Sequence, residues 1–182
     1  ATKLAADKLF IAGNSYSGQQ DTRFAIVRYG NVIGSRGSVI PFFLSQADSG
    51  VLPITDTRMT RFMITLEQGV DLVLHAFADM VGGEIYVKKI PSMTIVDIAS
   101  ASVPGAKHDI VGIRPGEKLH EQMISTEDAP HTYEYAEHFK VLPAIHNWSR
   151  DAKRISEGKL VHPDFSYSSD NNSEWMSAEM LT

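Results

Sequence analysis

Residues Phe24 to Pro41 read FAIVRYGNVIGSRGSVIP and change abruptly from a core-like to a loop-like composition. The apolar run Phe24 to Val27 follows a polar loop, a pattern typical of a buried parallel strand. Beyond it stand three glycines, two arginines and Asn31, and Pro41 then opens an apolar helix. In open α/β sheets, ligands bind at loops that leave the carboxyl ends of strands. The stretch therefore predicts an α/β fold in which residues 28–41 approach a ligand.

Length and composition exclude several classes of protein. The 182 residues are 43% hydrophobic, enough for a sizeable core, and no apolar run predicts a membrane span. The absence of cysteine excludes disulfides, thiolate metal sites and a cysteine nucleophile, and agrees with the cytoplasmic location that we expect. The formal net charge of -5 argues against nucleic acid as a partner. A small anionic ligand is compatible with the sequence, because arginines stand beside glycine-rich loops.

The residues around the opening stretch predict alternating helices and strands. Residues Lys3 to Tyr16 form a predicted helix, so that this helix and the strand after it make half of a βαβ arrangement. Residues Met59 to Phe62 read as a loop or an edge strand. A turn followed by a helix is predicted for Arg114 to Glu121. The predicted apolar stripes are Ala5, Leu9, Ala12 and Tyr16 in the first helix, and Val70, Val73, Leu74 and Phe77 in a later helix.

Two loops combine arginine with glycine, at Arg36-Gly37-Ser38 and at Arg114-Pro115-Gly116-Glu117. A guanidinium offers a bidentate fork for phosphate, and glycine lets the backbone approach it closely. Together with Arg61, these arginines could clamp a diphosphate. The alternative for each arginine alone is an ordinary surface salt bridge.

Two further side chains suit a sugar nucleotide. Glu117 could accept hydrogen bonds from sugar hydroxyls, or it could be a glutamate favoured by the dipole at a helix start. Asn31 could recognise an amide or hydroxyl of a ligand, or it could be a turn residue. The seven histidines show no metal-ligand spacing and are interpreted as structural or solvated, so no metal site is predicted. Neither a nucleophile elbow nor a Walker loop is present.

These motifs together resemble the extended short-chain dehydrogenase/reductase family. Within it, they are similar to the inverting UDP-N-acetylglucosamine 4,6-dehydratases of the pseudaminic-acid pathway. The residues that carry the resemblance run through the chain in the family's order: Ala1 to Leu4, Arg28 to Pro41, Pro53 to Asp56, Met59 to Phe62, Lys89 to Met93, Ile113 to Glu121, Tyr167 to Ser169, Asn171, Asn172 and Trp175.

The resemblance implies a fold, a cofactor and a reaction. The fold would be α/β, the C-terminal part of a Rossmann-type NAD(P)-binding fold plus a small α/β substrate-binding domain. Residues 1–34 and 66–91 would belong to the cofactor domain, and residues 35–65 and 92–182 to the UDP-sugar domain and tail. The enzyme would use NADP to oxidise C4 of the sugar, eliminate water across C5 and C6, and return the hydride to C6 with inversion at C5. We also expect a homo-oligomer without a membrane partner.

The resemblance also assigns roles to single residues. Lys3 matches the lysine of the family's Tyr-x-x-x-Lys motif, so it would hold the nicotinamide ribose and lower the pKa of the tyrosine that acts as base. Tyr29 and Gly30 would lie near the nicotinamide. Arg61 and Arg114 would bind the diphosphate and Glu117 the uridine ribose. The residues that would contact the sugar nucleotide or line its pocket are Asn31, Arg36, Gly37, Ser38, Val39, Ile40 and Thr55.

The resemblance implies that part of the family's catalytic machinery would precede Ala1. The motif tyrosine would stand two positions ahead of Ala1, and the family's Asp-Lys pair further upstream. The chain is thus interpreted as a C-terminal portion and is expected to be inactive alone. Uncovered apolar faces are expected to cause self-association.

Two alternatives remain open. The first is a sister activity on the same scaffold, a UDP-sugar 4-epimerase or a dehydratase-epimerase of capsule synthesis. The second is a non-catalytic module that binds nucleotide sugar or serves only in assembly.

Overall fold

The computed structural model describes residues 2–18, 20–144 and 150–181 of the chain. The helices are α1 (Thr2–Tyr16), α2 (Val39–Ser45), α3 (Leu66–Asp79), α4 (Ile95–Ser102), α5 (Ala152–Ile155) and α6 (Ala178–Leu181). The strands are β1 (Ile26–Arg28), β2 (Asn31–Val32), β3 (Val51–Ile54), β4 (Thr60–Ile64), β5 (Ile85–Lys88), β6 (Ser92–Thr94), β7 (Lys107–Ile110), β8 (Gln122–Ile124), β9 (Thr132–Glu134), β10 (His138–Val141), β11 (Lys159–Leu160) and β12 (Tyr167–Ser168). Short 3-10 helices cover Ala47–Ser49 and Ala129–His131.

The chain divides into two units. The first comprises Ala1–Tyr29, Glu67–Lys89 and Met123–Ser166, and the second comprises Gly30–Leu66, Ile90–Gln122 and Tyr167–Thr182. The sequence resemblance places residues 123–166 in the substrate domain and tail. In the structure they belong to the first unit, because β10 pairs with β5.

The first unit is built on a five-stranded sheet with the order β1-β5-β10-β9-β11. Strands β1 and β5 are parallel, whereas β10, β9 and β11 join antiparallel. The predicted Phe24–Val27 strand is found as β1, but its residues are half-buried and not fully buried. The physical reason is its position, since β1 forms an edge of this sheet.

The two long helices, α1 and α3, lie where the sequence predicts them. The faces that they bury differ from the predicted apolar stripes. Helix α1 contacts the segment before β1 through Phe10, whose ring lies 6.0 Å from that of Phe24, and through Asn14, whose amide donates to the Phe24 carbonyl. Its predicted stripe is wrong, because Leu9 and Tyr16 are 72% and 87% exposed. In α3 the buried residues are Gly69, Leu72 and Ala76. The predicted residues Val70, Leu74 and Phe77 are exposed.

The second unit contains two small sheets around one apolar core. Strand β4 lies between parallel β2 and antiparallel β6, and β3 pairs in parallel with β7. Strand β4 is therefore central, with four of its five residues buried, and the prediction of a loop or edge strand is wrong. Thr94 caps α4, since its hydroxyl accepts from the Asp97 amide at 3.0 Å. The core of this unit consists of Phe43, Leu52, Ile54, Met59, Met63, Met93, Ile95, Ile98 and Ala99.

The segment Arg114 to Glu121 forms a turn but no helix. Gly116 has a φ of 83°, the left-handed conformation that glycine adopts without steric cost. The side chain of Arg61 donates to the carbonyls of Lys118 and Leu119, and these contacts hold the segment to β4 in a non-helical conformation after the turn. The prediction of a helix in this segment is wrong for this reason. No helix start therefore adds partial positive charge near Arg114.

Candidate functional site

A cleft of about 440 Å³ opens in the second unit. Its walls come from β2, the loop before α2 and α2 itself, β3 and the residue after it, β4, the start of α4 and the segment after β7. These segments all follow or belong to short strands of the two small sheets. The volume falls within the range of about 300–1,000 Å³ that is typical of small-molecule sites.

The cleft collects most of the residues that the sequence assigns to substrate. Arg36 is the exception, because it is exposed and does not line the cleft. The predicted residues that do line it are Asn31, Gly37, Ser38, Val39, Ile40, Thr55, Arg61, Arg114 and Glu117.

Apolar side chains make up much of the remaining wall. Sequence reasoning missed them as site residues, because buried core residues and ligand-facing apolar residues have the same composition. The only available signal was their proximity in sequence to predicted polar site residues. The missed lining residues are Val32, Phe42, Phe43, Pro53, Met59, Met63, Ile95 and Val111.

Ser38 stands at the N-cap of α2 without making a capping bond. A capping hydroxyl usually accepts from the second or third helical amide, and the third residue here is Pro41, which has no N–H. The Ser38 Oγ is buried and has no hydrogen-bond partner within residues 2–18, 20–144 and 150–181. This hydroxyl is thus an unused polar group in the wall of the cleft.

Arg61 uses its guanidinium on the protein itself. Its Nη1 donates to the carbonyls of Thr60 and Leu119 at 2.7 and 2.9 Å, and its Nη2 donates to the carbonyl of Lys118 at 3.2 Å. Both terminal nitrogens are therefore engaged, so the bidentate fork is directed at backbone oxygens in this arrangement. Arg61 joins β4 to the segment that carries Arg114 and Glu117.

Arg114 and Glu117 form the two ends of one tight turn. The Glu117 amide donates to the Arg114 carbonyl at 3.0 Å, and the Glu117 carboxylate accepts from the Arg114 amide at 3.1 Å. The Arg114 side chain is exposed, and within the described part of the chain its guanidinium has no ion-pair partner. This turn therefore carries a guanidinium that has no ion-pair partner among the described residues, and a half-buried carboxylate that a backbone amide holds in place.

The three residues assigned to a cofactor have different surroundings. In the first unit, Lys3 is an exposed residue of α1, and Tyr29 is 44% exposed just after β1. In the second unit, a Cβ at Gly30 would lie 2.5 Å from both Cβ and the carbonyl oxygen of Phe62. Close packing against β4 thus requires glycine at position 30, whatever ligand binds nearby.

A second concave region lies in the first unit and contains no predicted site residue. This cavity of about 350 Å³ is lined in part by His75, Tyr135 and His138. The Tyr135 and His138 rings stack at 4.6 Å, and burial raises the pKa of Tyr135 to about 12. Burial, with positive charge nearby, lowers the pKa of His138 to about 4. Across the described ranges, no cluster of three or more His, Cys, Asp or Glu side chains could hold a metal ion.

The parallel β1–β5 pair with its helix α3, together with a small α/β unit that carries a cleft, defines a Rossmann-type α/β protein and confirms the predicted fold class. Residues 1–143 match the family described as "Polysaccharide biosynthesis protein", and the chain belongs to that family. No helix among the described residues combines the length and apolarity that crossing a bilayer requires.

Comparison with individual proteins gives sequence and structural relatives. The chain is 53% identical to the Campylobacter jejuni protein named UDP-N-acetylglucosamine 4,6-dehydratase (inverting), over 100% of this chain and 56% of the relative. It is 44% identical to the UDP-glucose 4-epimerase of Rickettsia akari, over 70% of this chain and 39% of the relative. The crystal structure of Pen from Bacillus thuringiensis superposes with a TM-score of 0.83 at 31% identity, over 99% of this chain and 54% of Pen. The chain thus spans about half the length of the Campylobacter protein and of Pen.

Proposed function

We propose that the cleft of the second unit binds a UDP-sugar and that the chain supplies the substrate side of an NADP-dependent UDP-N-acetylglucosamine 4,6-dehydratase that inverts C5. One observation carries the proposal. Nine of the ten residues assigned to substrate from sequence line this single cleft, although they come from five separate segments. The similarity to the Campylobacter dehydratase supports the same substrate.

The side chains of the cleft suit the parts of such a ligand. Arg114 would bind the diphosphate, since its guanidinium is exposed and has no partner in the described structure. Arg61 would join it by exchanging the 3.2 Å contact of Nη2 with the Lys118 carbonyl for a phosphate oxygen, while Nη1 keeps its bond to the Leu119 carbonyl. Glu117 would accept hydrogen bonds from the ribose hydroxyls. The apolar wall, with Met59 and Val111, would cover the flat faces of the base and sugar.

The reaction would combine this site with a nicotinamide cofactor. When bound, NADP supplies a reversible hydride acceptor, so that oxidation at C4 makes the C5 proton acidic and allows loss of the C6 hydroxyl as water. Lys3 would hold the nicotinamide ribose through its exposed ammonium group, and Tyr29 and Gly30 would lie near the nicotinamide. Asn31 and Ser38 would orient the sugar, and the Ser38 hydroxyl has no competing partner in the described structure.

Calorimetric titration with UDP tests the binding proposal. We expect UDP to bind, and we expect Arg114→Ala to weaken binding about tenfold or more, as removal of a charge-assisted contact does. The matched control is Arg23→Ala, because Arg23 is an exposed arginine of the first unit that pairs with Asp21. Absence of heat with millimolar UDP, or equal affinity of the Arg114→Ala and parent proteins, would contradict the proposal.

Product analysis separates the dehydratase from a second candidate, a UDP-sugar 4-epimerase, which the Rickettsia relative favours. The full-length protein that contains this chain is incubated with UDP-N-acetylglucosamine, and the product is examined by NMR. A 4-keto-6-deoxy sugar inverted at C5 supports the dehydratase. A product that retains its 6-hydroxyl supports the epimerase and excludes the first proposal.

The remaining expectations about the whole protein are part of the same proposal. Residues 1–34 and 66–91 would serve the cofactor, and residues 35–65 and 92–182 the substrate. The protein would act in the cytoplasm as a homo-oligomer. Light scattering tests the oligomeric state, and a monomer at micromolar concentration would contradict it.

A further inference from the structure

We propose that Ser169 is a positioning residue for the ligand-binding turn at Arg114 to Glu117, acting through Thr60 and His120. The inference rests on the proposed function only for the identity of the ligand. The contacts that carry it lie within the second unit and do not involve the cleft lining.

Three polar side chains form a connected chain of hydrogen bonds in the interior of this unit. Ser169 is fully buried and Thr60 is 5% exposed. The Ser169 hydroxyl lies 2.6 Å from the Thr60 hydroxyl and accepts from the Glu121 amide at 2.9 Å. The Thr60 Oγ1 lies 2.8 Å from Nδ1 of His120. Buried polar groups joined in this way fix one another's orientation.

Ser169 joins β4 to the segment after the turn through one oxygen atom. Its hydroxyl accepts from the Glu121 amide at 2.9 Å, donates to the Thr60 carbonyl at 3.1 Å and lies 2.6 Å from the Thr60 hydroxyl. The Thr60 hydroxyl in turn lies 2.8 Å from Nδ1 of His120. Removal of the Ser169 hydroxyl therefore takes a hydrogen-bond partner from both Glu121 and Thr60.

Ser169 can act as an anchor because the segment around it is itself held in place. The Tyr167 hydroxyl accepts from the Ile90 amide and donates to the Ile90 carbonyl, both at 3.0 Å. The Ser169 amide donates to the Glu121 carbonyl at 2.8 Å. Asn172 donates to the Ile90 carbonyl at 2.8 Å. The C-terminal segment is thus joined to both Ile90 and Glu121.

The consequence for the ligand follows from chain connectivity. Only two residues separate Glu117 from His120, so fixing His120 and Glu121 limits the positions that the turn can take. Other contacts with β4 also hold this segment: Arg61 donates to the carbonyls of Lys118 and Leu119, the Thr60 amide donates to the Leu119 carbonyl, and the Phe62 amide donates to the Glu121 carboxylate. Loss of the Ser169 hydroxyl should therefore loosen the turn and weaken UDP binding while the rest of the unit stays folded.

The test compares Ser169→Ala with Ser168→Ala, a neighbouring half-buried serine whose hydroxyl contacts only Asp170 among the bonds described. Hydrogen exchange of the ligand-free protein measures the mobility of residues 114–121. Calorimetry measures UDP affinity. His120→Ala and His120→Asn form a second pair, since the asparagine amide can retain a hydrogen-bonding group near the Nδ1 position and alanine cannot.

We expect Ser169→Ala to speed exchange in residues 114–121 and to weaken UDP binding about three- to tenfold, the effect of losing roughly one buried hydrogen bond. We expect His120→Asn to bind UDP more tightly than His120→Ala. Unchanged exchange at 114–121 in both Ser169→Ala and His120→Ala would overturn the inference, as would faster exchange throughout the unit. If the parent does not bind UDP, the proposed function fails, and the exchange data still decide this inference.

Discussion

Arg61 and Leu119 are joined side chain to backbone, with Arg61 Nη1 2.9 Å from the Leu119 carbonyl oxygen. The same carbonyl accepts from the Thr60 amide at 3.1 Å, so two donors on β4 hold one point of the ligand-binding segment. The cation predicted to bind diphosphate therefore also organises the turn that presents the second cation, Arg114.

Arg61→Ala should lower both stability and affinity. It removes three bonds from a charged donor to backbone oxygens, and we expect a loss of about 2 kcal/mol in the free energy of unfolding. UDP affinity should fall further than in Arg114→Ala, because the turn and a phosphate contact are lost together. Urea unfolding and calorimetry provide the measurements. Arg58→Ala is the control, since Arg58 is exposed and contacts only Asp56 among the ion pairs described, and it should change neither quantity appreciably.

Substitution of two glycines should change stability in opposite directions. Gly30→Ala places a Cβ 2.5 Å from the Phe62 backbone and should destabilise the protein by about 2 kcal/mol through overpacking. Gly69 lies within α3, and a Cβ there meets nothing within 4 Å. Gly69→Ala should therefore stabilise by up to about 1 kcal/mol, the helix propensity gain of alanine over glycine. Equal unfolding midpoints for the two variants would contradict the close approach at Gly30.

Glu84 and Arg154 form a buried ion pair in the first unit, with 2.5 Å between Glu84 Oε1 and Arg154 Nη1 and side chains that are 1% and 6% exposed. The Glu84 carboxylate also accepts from the amides of Val81 and Gly82. Glu84→Ala would remove the closer and more buried of the two carboxylates that Arg154 contacts, the other being Asp151 at 3.4 Å, so we expect a loss of about 3 kcal/mol in thermal or urea unfolding. Glu127→Ala, at an exposed position, is the matched control. A loss no greater than that of the control would show that the pair does not stabilise the fold.

The sequence predicts the α/β class and most of the cleft residues because these depend on local signals. Glycine, arginine and strand ends stand next to one another in the chain, as in Phe24 to Pro41. The structural roles of residues whose partners lie far away in the sequence could not be predicted. Strand β4 reads as a loop or edge strand because its neighbours β2 and β6 lie far from it in sequence. Likewise, His120 is brought to Thr60 and Ser169 only by folding, and it was interpreted from sequence as structural or solvated.

Acid pH should destabilise the first unit through His138. Burial and the positive charges of His75, Lys140 and Lys88 lower the pKa of His138 to about 4, and Asp79 opposes this shift. Between the ordinary value of 6.5 and about 4, the unfolded chain therefore binds more protons than the native protein does. Stability from this group is fully present above pH 6.5 and is lost as the pH falls toward 4.

The measurement is the free energy of urea unfolding at pH 7, 6 and 5 in the parent and in His138→Phe. Phenylalanine preserves a ring that can stack on Tyr135 but does not titrate, so the variant should show a smaller decrease in stability over this range. Asp79 does not obscure the result. Burial alone would raise its pKa, but hydrogen bonds from Lys140 and Tyr86 lower it below 3.8, so its contribution is lost only at more acid pH. Parallel stability curves for the parent and His138→Phe between pH 7 and 5 would show that His138 is not the titrating group.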